Sequence, residues 1–109
     1  MDLKIYPVVL ELVREMAPSM AELKRHSAAL GDQFERALLS TVLNLAEGSY
    51  SRGRNRQARY QTAAASAREA LACWESAEAL GWVGPLDAKR GALFQRVIGT
   101  LVRLVKPRC

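Results

Sequence analysis

Apolar residues recur at steps of three and four along most of the chain, the spacing of one face of an α-helix. The first such pattern covers residues 5–23 and contains Pro18. Because the apolar phase continues past Pro18, we expect one kinked helix rather than two. Gly31 and Asp32 then predict a turn. Asp32 is the expected N-cap of the next helix, and Glu35 stands three residues on, in the capping-box position.

Three further helices follow from the same spacing. The second is expected over residues 33–47 and should end at Gly48, the residue type that most often follows a helix. The third is expected over residues 54–80, is rich in alanine and should bury Trp74, and the fourth over residues 85–105. Helices joined by short turns predict an all-α, antiparallel up-down four-helix bundle, with the whole chain (1–109) as a single domain.

The second and fourth helices carry more apolar residues than one core-facing stripe needs. On the second helix two stripes lie side by side: Phe34, Leu38, Val42 and Leu45 form one, and Leu39, Leu43 and Ala46 form the other. A surplus of this kind predicts burial against another subunit, and therefore a homo-oligomer. The alternative is a monomer with an unusually apolar surface.

Positive charge is concentrated in one segment. The 109 residues carry a net charge of +5, yet no acid lies between Glu47 and Glu69. Five arginines do lie there, namely Arg52, Arg54, Arg56, Arg59 and Arg68. Positive charge at a helix N-terminus is opposed by the helix dipole, so a role in phosphate contact is one interpretation. Pairing with Glu47 and other acids in a solvated turn is the other.

Two tyrosines flank this basic segment. Tyr60 fits the apolar stripe of the third helix and is expected in the core. Tyr50 lies in the turn itself, where an aromatic ring could stack on a base. The candidate nucleic-acid-binding residues are therefore Tyr50 and the first four arginines, Arg52, Arg54, Arg56 and Arg59.

No set of residues with the spacing of a catalytic or metal site is evident. His26 is the only histidine, and Cys73 and Cys109 form no closely spaced pair. Glu75 and Glu78 lack the histidines of a di-iron bundle. We therefore expect no enzymatic activity, no metal and no cofactor. With no signal-peptide pattern and no long apolar run, a cytoplasmic protein without a membrane partner is expected.

Polar residues interrupt the otherwise apolar faces of the second and third helices. Asn44 and Glu47 lie one turn apart on the second, and Ser66 and Glu69 one turn apart on the third. A polar group in such a place needs a defined partner. One interpretation is structural: the first pair bonds helix ends or arginines of the turn, Ser66 packs against another helix, and Glu69 pairs with an arginine. The other is that they recognise a ligand.

These segments together resemble a known family. The residues that carry the likeness are Asn44-Leu45-Ala46-Glu47-Gly48, then Arg52-Gly53-Arg54-Asn55-Arg56 and Tyr60, then Ala63, Ala65, Ser66 and Glu69, with support from Asp32-Gln33, Arg36-Ala37 and Leu80-Gly81-Trp82-Val83. They are similar to the motifs of the "four helix bundle protein" family, whose members include proteins encoded in intervening sequences of bacterial large-subunit ribosomal RNA genes. The likeness covers residues 5–105.

The resemblance implies an up-down bundle that assembles into homo-oligomers, with pentamers as the expected form. It also implies kinship with accessory proteins of diversity-generating retroelements, which are basic bundles that bind a reverse transcriptase and nucleic acid. The motif residues Asn44, Glu47, Gly48, Ser66 and Glu69 are expected to be structural. The chain departs from the family pattern at Tyr50 and at Ala65, where glycine is usual.

The predicted function is that of a non-enzymatic oligomeric scaffold which binds nucleic acid, RNA more than DNA, through the arginine-rich turn. Several copies of the turn in one assembly would make the contact multivalent. The alternative is a protein-interaction module that docks an acidic or apolar partner and has no direct role with nucleic acid.

Overall fold

A computed structural model describes residues 3–105, and within that range the chain is all-helical, with no strand. The four helices are α1 (Ile5–His26), α2 (Ala28–Ser49), α3 (Gly53–Ala79) and α4 (Ala88–Val105). The all-α class and the number of helices are as predicted.

Helix α1 is unbroken at Pro18, so the predicted choice of one helix over two is confirmed. Pro18 itself is exposed, whereas Ser19 beside it is buried. The inward positions repeat at helical spacing, and those buried to the core are Ile5, Val9, Leu12, Met16 and Leu23. This continuous row holds the helix together across the one intrahelical hydrogen bond that a proline cannot make.

Helix α2 begins five residues before the predicted start, and the predicted turn at Gly31 and Asp32 is wrong. The N-cap is Ser27, whose Oγ accepts a hydrogen bond from the backbone N–H of Leu30 at 3.1 Å. Gly31 lies inside the helix against α1, where an added Cβ would be 2.9 Å from Lys24 Cα. Its small size therefore serves a close approach of two helices rather than a turn.

The acids assigned to a capping box bind a lysine of α1 instead. Lys24 Nζ contacts Asp32 at 3.7 Å and also donates a hydrogen bond to Glu35. That hydrogen bond to Glu35 raises the pKa of Lys24. Because all three side chains are well exposed, this network adds little to the free energy of folding.

The end of α3 follows the sequence closely. Gly81 adopts a φ of 76°. Two backbone hydrogen bonds end the helix, one from Gly81 N–H to Glu78 O and one from Trp82 N–H to Ala77 O, both at 3.0 Å. This is a Schellman motif, and it requires a residue without a Cβ penalty at position 81. Helix α4 then starts at Ala88 rather than at Pro85, because Asp87 caps it through Arg90 N–H at 2.8 Å.

The core is shared by all four helices. Helix α1 packs against α2 and α4, α3 packs against the same two, and the contact between α2 and α3 is the most extensive. Alanines make this close packing feasible, since Ala63, Ala67 and Ala70 of α3 are fully buried. Trp74, 2% exposed, lies in the core as predicted, and so does Tyr60.

Candidate nucleic-acid interface

The turn between α2 and α3 lies at one end of the fold, and the start of α3 projects beyond the core. Every residue from 52 to 59 is exposed, and burial begins only at Tyr60. The projecting segment carries Arg52, Arg54, Arg56 and Arg59. All four candidate arginines therefore lie in solvent within about two helical turns of each other.

The side chain of Arg56 folds back and forms hydrogen bonds with the backbone of the turn. Its Nε donates to the carbonyl oxygens of Ser51 at 2.9 Å and Gly48 at 3.2 Å, and Nη2 lies 3.5 Å from that of Ser49. Carbonyls at the C-terminal end of a helix lack intrahelical partners and carry partial negative charge. The dipole of α2 therefore favours a cation here, which offsets the cost of placing one at the start of α3.

Arg59 belongs to a chain of polar contacts between α2 and α3. Its Nη1 donates to Asn44 Oδ1 at 3.2 Å, and Asn44 Nδ2 donates to the carbonyl oxygen and to Oγ of Ser40, both at 3.0 Å. Ser40 Oγ in turn lies 2.7 Å from Oγ of the buried Ser66. The half-buried amide of Asn44 thus has partners on both helices, one of them an arginine of the projecting segment.

Arg52 and Arg54 differ from these two. Among residues 3–105 neither side chain takes part in a hydrogen bond or an ion pair, and the ion pairs present use Lys24, Lys89 and Arg90. Tyr50, beside them in the turn, is 74% exposed. All three residues are exposed.

The remaining motif residues have varied surroundings. Gly48 is buried within the last turn of α2, so its predicted place just after the helix is wrong. Glu47 is exposed and forms no ion pair with an arginine of the described chain. Glu69 was expected to pair with an arginine, but it accepts a hydrogen bond from Gln33 Nε2 of α2 instead.

Arg68, the fifth arginine of the basic segment, lies apart from the turn. It lines a groove between α3 and α4 of about 690 Å³, together with Arg103 from α4. A smaller cavity of about 180 Å³ lies under the turn itself, between Leu3, Ser49, Arg56 and Tyr60. Sequence reasoning missed the groove, because it depends on how two helices that are distant in sequence meet.

Other reactive side chains are sequestered or stacked. Cys73 is buried, and this burial, followed by the charge of Glu69, raises the pKa of its thiol. His26 stacks on the ring of Trp82, with 5.5 Å between ring centres and 6° between planes.

Over residues 3–105 no three His, Cys, Asp or Glu side chains are grouped to hold a metal ion. None of the four helices combines the length and the hydropathy that crossing a membrane requires.

Comparisons with known proteins found no match: no protein-family model matches the chain, and no curated protein or solved structure is significantly similar to it.

Proposed function

We propose that the chain is a non-enzymatic, oligomeric helical scaffold that binds nucleic acid, RNA in preference to DNA, through the turn between α2 and α3. The observation that carries this proposal is that four exposed arginines cluster there, and none is neutralised by an ion pair within residues 3–105. Guanidinium groups bind phosphate by paired hydrogen bonds and release condensed counterions when they do so.

The arginines divide into two pairs with different parts to play. Arg56 and Arg59 are held by α2, through Gly48 and Asn44 respectively, so their charge is fixed in place at little further cost in entropy. Arg52 and Arg54 have no such partners and are free to contact a phosphate. With Tyr50 exposed beside them, the surface suits a flexible single strand whose bases can stack on an aromatic ring.

An antiparallel bundle is part of the same proposal. Between α2 and α3, hydrogen bonds join Gln33 to Glu69, Ser40 to Ser66, and Asn44 to Arg59. Residue numbers therefore rise along one helix as they fall along the other. In an up-down bundle, the arginine-rich turn lies at the same end as the start of α1 and the end of α4.

The experiment is a titration of fluorescent single-stranded RNA and DNA of the same mixed sequence, at several salt concentrations, with the wild type and R52A/R54A. These two arginines are chosen because neither side chain takes part in a hydrogen bond or an ion pair within residues 3–105. If each contacts one phosphate, the slope of log K against log salt should fall in magnitude by about 1.4 per bound protomer. R14A/R96A is the matched control, since it removes two exposed arginines of α1 and α4 and lowers the net charge equally.

Equal slopes for R52A/R54A and R14A/R96A would show that net charge alone draws the RNA, and the turn would lose its assigned role. Unchanged circular dichroism of both variants is required for the comparison. Tighter binding of DNA than of RNA would contradict the preference for RNA but not the site.

A protein-interaction module is the second candidate, and it is favoured by the exposed leucines of α2, Leu39 and Leu43. In that case the positive turn serves an acidic protein partner. A partner that stays bound in stoichiometric amount after nuclease treatment, and dissociates from R52A/R54A, would support it. Membership of the intervening-sequence family, the pentamer and the cytoplasmic location stay predictions.

A further inference from the structure

The outward side of α2 carries a row of apolar residues that the fold leaves uncovered. Leu39 is 44% exposed and Leu43 is 63% exposed, and both lie opposite the side of α2 that packs on the core. Ala46, which is half-buried, continues the row three residues after Leu43. We call Leu39, Leu43 and Ala46 the α2 stripe. Single exposed leucines are ordinary, but a row at heptad-like spacing is typical of a helix that packs against another.

The groove between α3 and α4 has an apolar and positively charged lining. Its apolar lining consists of Ala64 and Ala65 of α3 and of Val102 and Val105 of α4. Arg68 and Arg103 line it with positive charge, and no acid of the described chain pairs with either. An occupant therefore needs bulky apolar side chains and a carboxylate beside them.

We propose that the α2 stripe of one copy of this chain packs into the α3–α4 groove of a second copy. This inference rests on the oligomeric part of the proposed function. The lengths agree, since the eight residue steps from Leu39 to Glu47 span about 12 Å of helix and the seven steps from Gln61 to Arg68 span about 10.5 Å. Glu47 follows Leu43 by one turn, is exposed and forms no ion pair within residues 3–105, so it supplies the carboxylate.

The stripe and the groove lie on different faces of the same molecule, because α2 packs against α1 and α3 whereas the groove lies between α3 and α4. Each copy therefore offers its stripe to one neighbour and its groove to another. Such a heterologous contact produces a ring if the rotation closes and a filament if it does not. In either case every arginine-rich turn is related to the next by the same rotation.

The first experiment is sedimentation of the wild type, L43E and A65W in the absence of nucleic acid. L43E places a charge in the stripe, and A65W fills the groove from a position that is exposed in the monomer. Both variants should be monomeric where the wild type is an oligomer. L80E is the matched control, because Leu80 is 60% exposed at the end of α3, away from both surfaces, and it should assemble like the wild type.

The second experiment mixes the two monomeric variants. L43E keeps an intact groove and A65W keeps an intact stripe, so one good contact remains between them and the mixture should form a 1:1 heterodimer and nothing larger. A mixture that stays monomeric, a wild type that is monomeric, or a stripe that pairs with a second stripe would each overturn the proposal. RNA binding is separate, because the salt slope of monomeric L43E still reports on Arg52 and Arg54.

Discussion

Gly48 of α2 lies directly against the ring of Tyr60 on α3. A Cβ built on Gly48 would be 2.6 Å from Tyr60 Cε1 and 3.1 Å from Arg59 Cβ, closer than side chains pack. Tyr60 is 5% exposed, so its ring is packed in the core, and the cavity that it shares with Leu3, Ser49 and Arg56 is the space beside it. The contact brings the end of α2 and the start of α3 together, and it positions the arginine-rich turn.

Replacing Gly48 with alanine should therefore destabilise the fold, although alanine is the better helix former. Overpacking in a confined site costs about 1–3 kcal/mol, which exceeds the gain of about 1 kcal/mol from helix propensity. Gly91 of α4 is the matched control, because an added Cβ there meets nothing within 4 Å, and G91A should stabilise. Urea denaturation of both variants measures the difference. A stable G48A would mean that the ring of Tyr60 can move aside.

The serine pair between α2 and α3 should show energetic coupling. Ser40 Oγ and Ser66 Oγ are 2.7 Å apart, and Ser66 is buried. S40A and S66A should each cost about 1 kcal/mol, and the double variant should cost less than their sum, by about 0.5–1.5 kcal/mol. A double-mutant cycle by urea denaturation tests this. Strict additivity would show that the two hydroxyls contribute independently.

Trp74 should be important for its volume rather than for its indole N–H. Its side chain is buried, the guanidinium of Arg90 lies 5.5 Å from the centre of its ring, and Nε1 has no hydrogen-bond partner in the described structure. W74A should cost about 3–5 kcal/mol. W74F should cost clearly less, because it keeps an aromatic ring and removes an unpaired buried donor. Thermal unfolding of both variants gives the comparison, and equal losses would contradict it.

Asp87 should make the start of α4 sensitive to acid. The hydrogen bond from the backbone N–H of Arg90 lowers the pKa of Asp87 below its ordinary value, and the charge of Arg90 adds to this effect. A lowered pKa in the folded state means that the stabilisation is complete above the unfolded pKa, about 3.9, and disappears as the pH falls through the folded value. D87S keeps a capping oxygen but cannot titrate in this range.

The melting temperature of D87S should accordingly fall less steeply than that of the wild type between about pH 5 and about pH 3. The two proteins should differ most at neutral pH, where the carboxylate is fully charged. Parallel curves over this interval would show that the hydrogen bond to Arg90 does not favour the charged carboxylate.

A helix end could be predicted from the sequence where residues at that end determine it, and not where a contact with another helix does. The C-terminal end of α3 was predicted to within one residue, because Gly81 determines it through its own backbone conformation. The start of α2 was missed, because Ser27 and Asp32 are both good N-caps and only Ser27 is used. The choice depends on Gly31, which is required where Lys24 of α1 comes close, and that closeness is a property of the packed pair of helices.

The candidate interface divides in the same way. The composition of residues 52–59 was enough to identify a basic, acid-free segment, and the break after α2 was enough to place it at the end of a helix. The sequence did not indicate which of these arginines form hydrogen bonds within the fold. The bonds of Arg56 to the carbonyls of Gly48 and Ser51, and of Arg59 to Asn44, arise because the end of α2 lies beside the start of α3.

Four helices, their inward faces and the location of positive charge follow from the order of residues alone, because spacing, propensity and charge are carried by each segment separately. Partners are different. The packing of distant segments decided three features of the structure. Glu69 contacts Gln33 rather than an arginine, Leu39 and Leu43 stay exposed, and a groove remains between α3 and α4. A contact between two helices depends on the rotation and depth of both, and neither helix encodes that geometry by itself.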